Sequence, residues 1–168
     1  TVKGFNFEGK IGIPNLFELQ LGYTLQSSLY DRPFEWAENS DLPAQRKMFR
    51  TPDSYGYFTS TWNIAPRVRA SLFGTYTGTM LVQHTFYNAQ TDSMQDAETL
   101  TPDFFDMGLK LAYTFRLSTS VNLELSAGVK NIFNSYQKDL DFGPLKDAGY
   151  VYGPALPRMF FAGLKLTM

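Results

Sequence analysis

The chain alternates between apolar and polar positions for most of its length. Over residues 2–13, Phe5, Phe7, Ile11 and Ile13 share one parity, and Asn6, Glu8 and Lys10 share the other. Phe17, Leu19, Leu21, Tyr23 and Leu25 then alternate with Glu18, Gln20, Gly22, Thr24 and Gln26. The same pattern returns over 55–64, 67–81, 105–117, 121–129 and 160–168. Side chains on a strand project to opposite faces with a period of two, so each stretch is predicted to be a strand with one apolar face. No stretch of useful length carries the helical period. The fold class is therefore all-β, with about seven strands. Pro14-Asn15, Ala65-Pro66 and Ser118-Thr-Ser120 form short turns, whereas 31–54, 83–102 and 131–156 form long polar loops. Short and long connections follow each other without exception, as in an antiparallel up-and-down sheet with all its long loops at one end.

Composition narrows the setting. The hydrophobic share is 43% while mean hydropathy is only −0.24, because the apolar residues occupy every second position. No run approaches the ~20 apolar residues of a spanning helix, which excludes a helical membrane protein but leaves a transmembrane β-barrel wall open. The polar parity holds Lys10, Glu18, Arg69, Asp106, Lys110, Arg116, Glu124, Lys130 and Lys165. Several apolar sets span ten or more positions, longer than the usual soluble strand of ~5–6 residues. Tyr23, Tyr30, Tyr55, Phe58, Trp62, Tyr76, Tyr113 and Phe115 gather near strand ends, where two membrane interfaces would put aromatic girdles. On this reading Leu109, Leu111, Leu123, Leu125, Leu164 and Leu166 face lipid, and Lys110, Glu124 and Lys165 face inward. An odd number of strands does not close an antiparallel barrel, and open edges are prohibitive in lipid. The chain is thus expected to be part of a larger wall.

Chemistry is sparse. A net charge of −1 without a basic stripe gives nucleic-acid binding no support, and the lack of cysteine excludes disulfides, thiol catalysis and Cys-ligated metals. His84 is the single histidine, and neither Thr85 nor the loop carboxylates complete a catalytic constellation around it, so no enzymatic activity is expected. Asp92, Asp96, Glu98 and Asp103, and separately Asp139, Asp141 and Asp147, offer oxygen ligands but lack EF-hand spacing. They read as solvated loop acids, with no metal or cofactor implied. The first long loop is aromatic through Tyr30, Phe34, Trp36, Met48 and Phe49. These residues either pack on a ligand at the mouth of a barrel or hold the loop against its neighbours. Arg69, Lys110, Arg116 and Lys130 are expected either to line a channel or grip a plug inside it by ion pairs, or simply to make the wall's inward face polar.

The end of the chain carries a resemblance. Val129-Lys-Asn-Ile-Phe-Asn134 closes the penultimate strand, and Gly153-Pro-Ala-Leu-Pro-Arg158 opens the last one, within Asp147-Ala-Gly-Tyr-Val-Tyr-Gly-Pro-Ala-Leu-Pro-Arg158. These phrases resemble the C-terminal part of TonB-dependent outer-membrane receptors, most closely those of the Bacteroides group. The Gly163-x-x-Leu166-x-Met168 spacing is similar to the terminal signal that outer-membrane barrels present to their assembly machinery. The resemblance implies a barrel of about 22 strands around an N-terminal plug. Residues 1–168 would supply the C-terminal portion of its wall and contain no plug domain. It further implies a location in the bacterial outer membrane and uptake of a scarce nutrient such as an iron chelate, cobalamin or glycan. The implied partners are the plug, the remaining strands, outer-membrane lipid, the nutrient ligand and, through the absent N-terminal part, TonB. A start in mid-strand with no signal peptide agrees with that expectation. The rivals are a small structural or adhesive outer-membrane barrel and a soluble β-barrel binder, against which inward Lys110, Glu124 and Lys165 count.

Overall fold

The computed structural model describes residues 1–37 and 41–168, and ten strands appear among them. They are β1 (Val2–Ile13), β2 (Phe17–Phe34), β3 (Gln45–Lys47), β4 (Ser54–Ala65), β5 (Val68–Thr77), β6 (Leu81–Asn88), β7 (Ser93–Leu100), β8 (Phe104–Arg116), β9 (Asn122–Lys130) and β10 (Met159–Thr167). Seven of them form one antiparallel meander in the order β1-β2-β4-β5-β8-β9-β10, with β3 added to the far end of β2. The sheet is open, since β1 and β10 are its two edges and do not pair with each other. Both edge strands run from the end that carries the long connections toward the end that carries the tight turns.

The turns form where the sequence dictates. Asn15 adopts φ 61 and Arg67 φ 81, left-handed values that let two strands reverse within a few residues. At the third turn the Ser118 hydroxyl accepts from the amides of Ser120 and Val121. These three turns lie at one end of the sheet, and the connections 35–53, 78–103 and 131–158 lie at the other, as antiparallel pairing of neighbours requires.

Cross-strand register sorts the two faces. One row joins Ile11, Leu19, Ser60, Leu72, Leu109, Val129 and Phe160 across all seven strands. Toward the loops the next rows hold Phe7, Tyr23, Tyr76 and Phe105, with Phe58 between, and rings pair at 6.3 Å (Tyr23–Tyr76) and 6.4 Å (Phe58–Phe105). Toward the turns lie Phe17 and Trp62, 4.3 Å apart, and Tyr113 and Phe115, 4.5 Å apart. The apolar face is thus mostly aliphatic in the middle, Phe160 apart, and aromatic at both ends of β2, β4 and β8. The charges of this parity in the meander and β3, Lys3, Asp31 and Lys47, lie beyond the loop-end aromatics. Lys10–Glu18 (3.1 Å) and Lys110–Glu124 (3.5 Å) pair on the opposite face, and Lys165 sits across from Glu124. Tyr30 and Tyr55, grouped with the end aromatics by sequence, fall on this polar parity instead.

Aromatic rings also cover glycines on neighbouring strands. A Cβ at Gly22 would sit 2.6 Å from the Tyr57 ring on the polar face. One at Gly74 would sit 2.6 Å from the Phe58 ring on the apolar face. Only a bare backbone admits so close a ring.

Three expectations need correction. The second polar stretch, 83–102, is no loop: Leu81–Asn88 and Ser93–Leu100 pair residue by residue as a separate two-stranded hairpin. The strand expected over 67–81 stops at Thr77, where pairing with β8 ends opposite Phe104, and Leu81 already belongs to the hairpin. The pattern break near Ser28 does not end β2, which continues to Phe34 through pairing with Gln45 and Lys47. Of the loop expected over 31–54, residues 38–40 lie outside the described ones.

The buried core is not under the sheet. Val82, Phe104, Tyr150 and Tyr152 form it, with Met80 packed against them, among the loop-end connections. By contrast Phe5, Ile11, Ile64, Phe160 and Leu164 on the sheet are 64–80% exposed.

Candidate functional site

The loop end is the chemically varied part of the molecule. The connection between β9 and β10 contains no strand, yet two buried amides hold its shape. Asn131 Nδ2 donates to the carbonyls of Ser135 (3.0 Å) and Leu156 (2.9 Å), while its Oδ1 accepts the Ser135 amide at 2.8 Å. Gln137 Nε2 donates to the Tyr150 carbonyl at 3.1 Å, and its Oε1 accepts the Tyr152 amide at 2.8 Å. Buried backbone groups of an irregular segment need such partners, and two primary amides supply them in matched donor–acceptor pairs. Arg50 clamps the segment from outside, donating to the carbonyls of Gly149 (2.5 Å) and Val151 (3.2 Å).

Beside this segment opens a cleft of about 830 Å³. Phe104, Phe105 and Phe133 form its aromatic part, with Phe105 and Phe133 stacked at 5.7 Å. Asp103, Asn134, Gln137, Asp139 and the Tyr152 ring add polar groups. Asp139 Oδ1 accepts the Tyr152 hydroxyl at 2.5 Å and its Oδ2 the Tyr150 hydroxyl at 2.8 Å. Partial burial raises the Asp139 carboxyl, but the Tyr152 and Tyr150 phenols, its own backbone amide and Gln137 together more than offset it and hold the group below its usual range. Burial and the shared carboxylate push both phenols up. The site therefore presents a fixed anion, amides and exposed ring faces, which can stack against and hydrogen-bond a small molecule.

The β6–β7 hairpin stands behind the cleft, and its two faces meet different neighbours. On one face the His84 ring stacks on Tyr150 at 3.6 Å and 10°, and its Nε2 lies 2.8 Å from Asp141 Oδ2. That contact holds the Asp141 carboxyl below its usual range, helped by the Asp147 amide and opposed by burial. On the other face Glu98 accepts from Trp36 Nε1 (3.0 Å) and Gln45 Nε2 (2.6 Å). Asp147 accepts the amides of Thr85 and Gly149, Asp96 accepts the Thr85 hydroxyl, and Asp92 the Tyr87 hydroxyl. Six of the seven acids read as solvated from sequence thus act as hydrogen-bond acceptors, and Glu98, Asp141 and Asp147 tie separate connections together. No group of three His, Cys, Asp or Glu side chains arranged to hold a metal is found among the described residues.

The four aromatics singled out from sequence form two separate pairs. Tyr30 and Phe34 meet at 5.0 Å on the loop-side extension of β2, and Trp36 and Phe49 meet edge-on at 6.1 Å beside the hairpin. None of the four lines the cleft. For Trp36 and Phe49 the geometry matches a loop-holding role, since Trp36 is bound to Glu98. Gly163 and Leu166 lie on β10 opposite Ser126 and Leu123, and Met168 follows the strand, 90% exposed. Sequence reasoning missed Phe133, Asn134, Gln137, Asp139 and Tyr152 as cleft residues. The only signal was their place inside the two motif phrases and the loop between them. No protein family matches this chain, and neither the curated proteins nor the solved structures compared with it include one similar to it.

Proposed function

We propose that this chain forms part of the wall of a transmembrane β-barrel, and specifically the C-terminal strands of a TonB-dependent outer-membrane receptor that takes up a scarce nutrient. The observation that carries the membrane part is the banded apolar face, mostly aliphatic at mid-height and aromatic at both ends. The stretch from Phe105 to Phe115 rises roughly 33 Å along its strand, and a tilt of ~40° brings that to about 25 Å, the height of a barrel's apolar band. In water a face this large would be a liability, whereas lipid is its natural solvent. The polar face, with Lys110, Glu124 and Lys165, would then line the interior and meet the plug.

The receptor part rests on the C-terminal motif phrases together with the loop end. In that reading the cleft between Phe133 and Asp139 faces outside and contributes to ligand capture. Binding and gating, driven through TonB, make up the activity. Gly163, Leu166 and Met168 would serve as the assembly signal, and Tyr30 and Phe34 remain candidates for ligand contact.

The chain's two tryptophans make a direct test. Trp62 lies in the turn-end aromatic band and Trp36 lies among the loops. In versions of the full protein that keep Trp62 or Trp36 as the one tryptophan, reconstituted with brominated lipids, Trp62 should be quenched most by bromines near the headgroup, and Trp36 should be untouched by all of them. A Trp62 signal indifferent to every brominated lipid would overturn the membrane reading. Energy-dependent uptake that persists without TonB would overturn the receptor reading separately.

A further inference from the structure

His84 joins the hairpin to the loop that walls the cleft. Its ring covers the Tyr150 ring, whose hydroxyl reaches Asp139, and Asp139 with Tyr152 lines the cleft. Its Nε2 contacts Asp141, whose side chains are 16% and 23% exposed respectively, and Asp141 in turn accepts the Asp147 amide at 3.1 Å. Asp147 completes the return link by accepting the Thr85 amide, one residue beyond the histidine. One titratable ring thus bridges two connections that are far apart in sequence.

We infer that His84 and Asp141 form a proton-controlled latch that holds the 131–158 connection closed on the β6–β7 hairpin and so sets the shape of the cleft. A charged imidazolium donates to a carboxylate in a charge-assisted bond, whereas the neutral ring keeps only an ordinary one. Among the described residues, charged and titratable groups meet it from the loop and from β7. Asp139, Asp141, Asp147 and Tyr150 come from the loop, with Arg50 clamping Gly149 and Val151 beyond them. Asp96 and Glu98 belong to β7, and their side chains engage Thr85, Trp36 and Gln45. Asp141 is the acidic group directly on the ring. Protonation of His84 therefore tightens the latch, and deprotonation loosens it while Asp141 stays ionised.

The latch does not depend on what the cleft holds or on membrane embedding, so it can fail while the proposed function stands. His84 is the only histidine of residues 1–168, and in the full protein its ring protons are assigned by their loss in His84→Gln. Hydrogen exchange of the Asp139–Tyr152 amides is measured on the full protein, corrected for intrinsic rates, at about pH 5 and about pH 8. Protection should fall about fivefold on raising the pH, the ratio expected when a charge-assisted bond reverts to a neutral one, along the curve of the His84 protons. Amides of β8 and β9 serve as the internal reference and should not change. His84→Gln keeps a neutral donor and should abolish the dependence. Constant protection in the unaltered protein, an equal fall in β8 and β9, or the same fall in His84→Gln would each overturn the latch.

Discussion

At the scale of single residues, the loop end is held by polar groups used in pairs. Asn131 and Gln137 each offer a donor and an acceptor to backbone that has no ladder of its own, and Asp139 and Asp141 collect hydroxyl, ring and amide donors. Both carboxyls sit below their ordinary value of 3.8, Asp139 because burial is outweighed by its hydrogen bonds taken together and Asp141 through His84 first. A carboxyl lowered by folding contributes stability that is fully present above its unfolded value and is lost as pH falls through its folded one. Below the range in which His84 protonation tightens the loop, protection should hold down to about pH 4 and then collapse in more acid solution, with the sheet amides lagging behind. Asp139→Asn should flatten part of that acid limb. Exchange rates measured on one sample from about pH 6 to about pH 2 check the order of events, and sheet amides opening first would contradict it.

At the scale of elements, alternation made the sheet legible. Its seven strands, their faces and the end shared by the long connections follow from period two and turn chemistry in residues such as Asn15 and Ser118. The β6–β7 hairpin was not legible, because neither of its parities is apolar: Val82, His84, Phe86 and Asn88 face one way and Leu81, Gln83, Thr85 and Tyr87 the other. Its strands are joined by polar side chains instead, Thr85 to Asp96 directly opposite and Asn88 to Gln95 on the diagonal. The cleft was invisible for a related reason. The bonds of Asn131 and Gln137 to distant carbonyls leave no periodic trace. The banded face makes its own prediction about depth. In a bilayer Leu109→Arg, in the aliphatic row, should cost about 2–4 kcal/mol, and Phe115→Arg, near the turn-end band, about 0–1 kcal/mol. Thr59→Arg, exposed on the polar face, should be nearly silent. Refolding titrations into lipid vesicles rank the three, and equal costs would refute the assignment of faces.

At the scale of the whole molecule, the sheet has no core beneath it. Its apolar surface is open, and the buried cluster lies off to one end around Val82 and Phe104. Stability of the sheet must therefore come from whatever covers that face and those edges. Without detergent the chain should sediment as aggregates or as an assembly that hides them. A compact, monodisperse monomer in plain buffer would contradict both the membrane proposal and the need for neighbouring strands.

The direction of the two edges carries a counting consequence. β1 and β10 point the same way, so whatever bridges them through antiparallel seams must begin and end on strands of the opposite sense. Only an odd number of additional strands can do that. Copies of this sheet set side by side in one orientation would meet β10 against β1 in parallel, with the slanted bonds and poorer pairing that such a seam brings. The arithmetic makes seven strands a poor unit for self-assembly into a ring and a good unit for completion by a dissimilar partner, with the closed total always even.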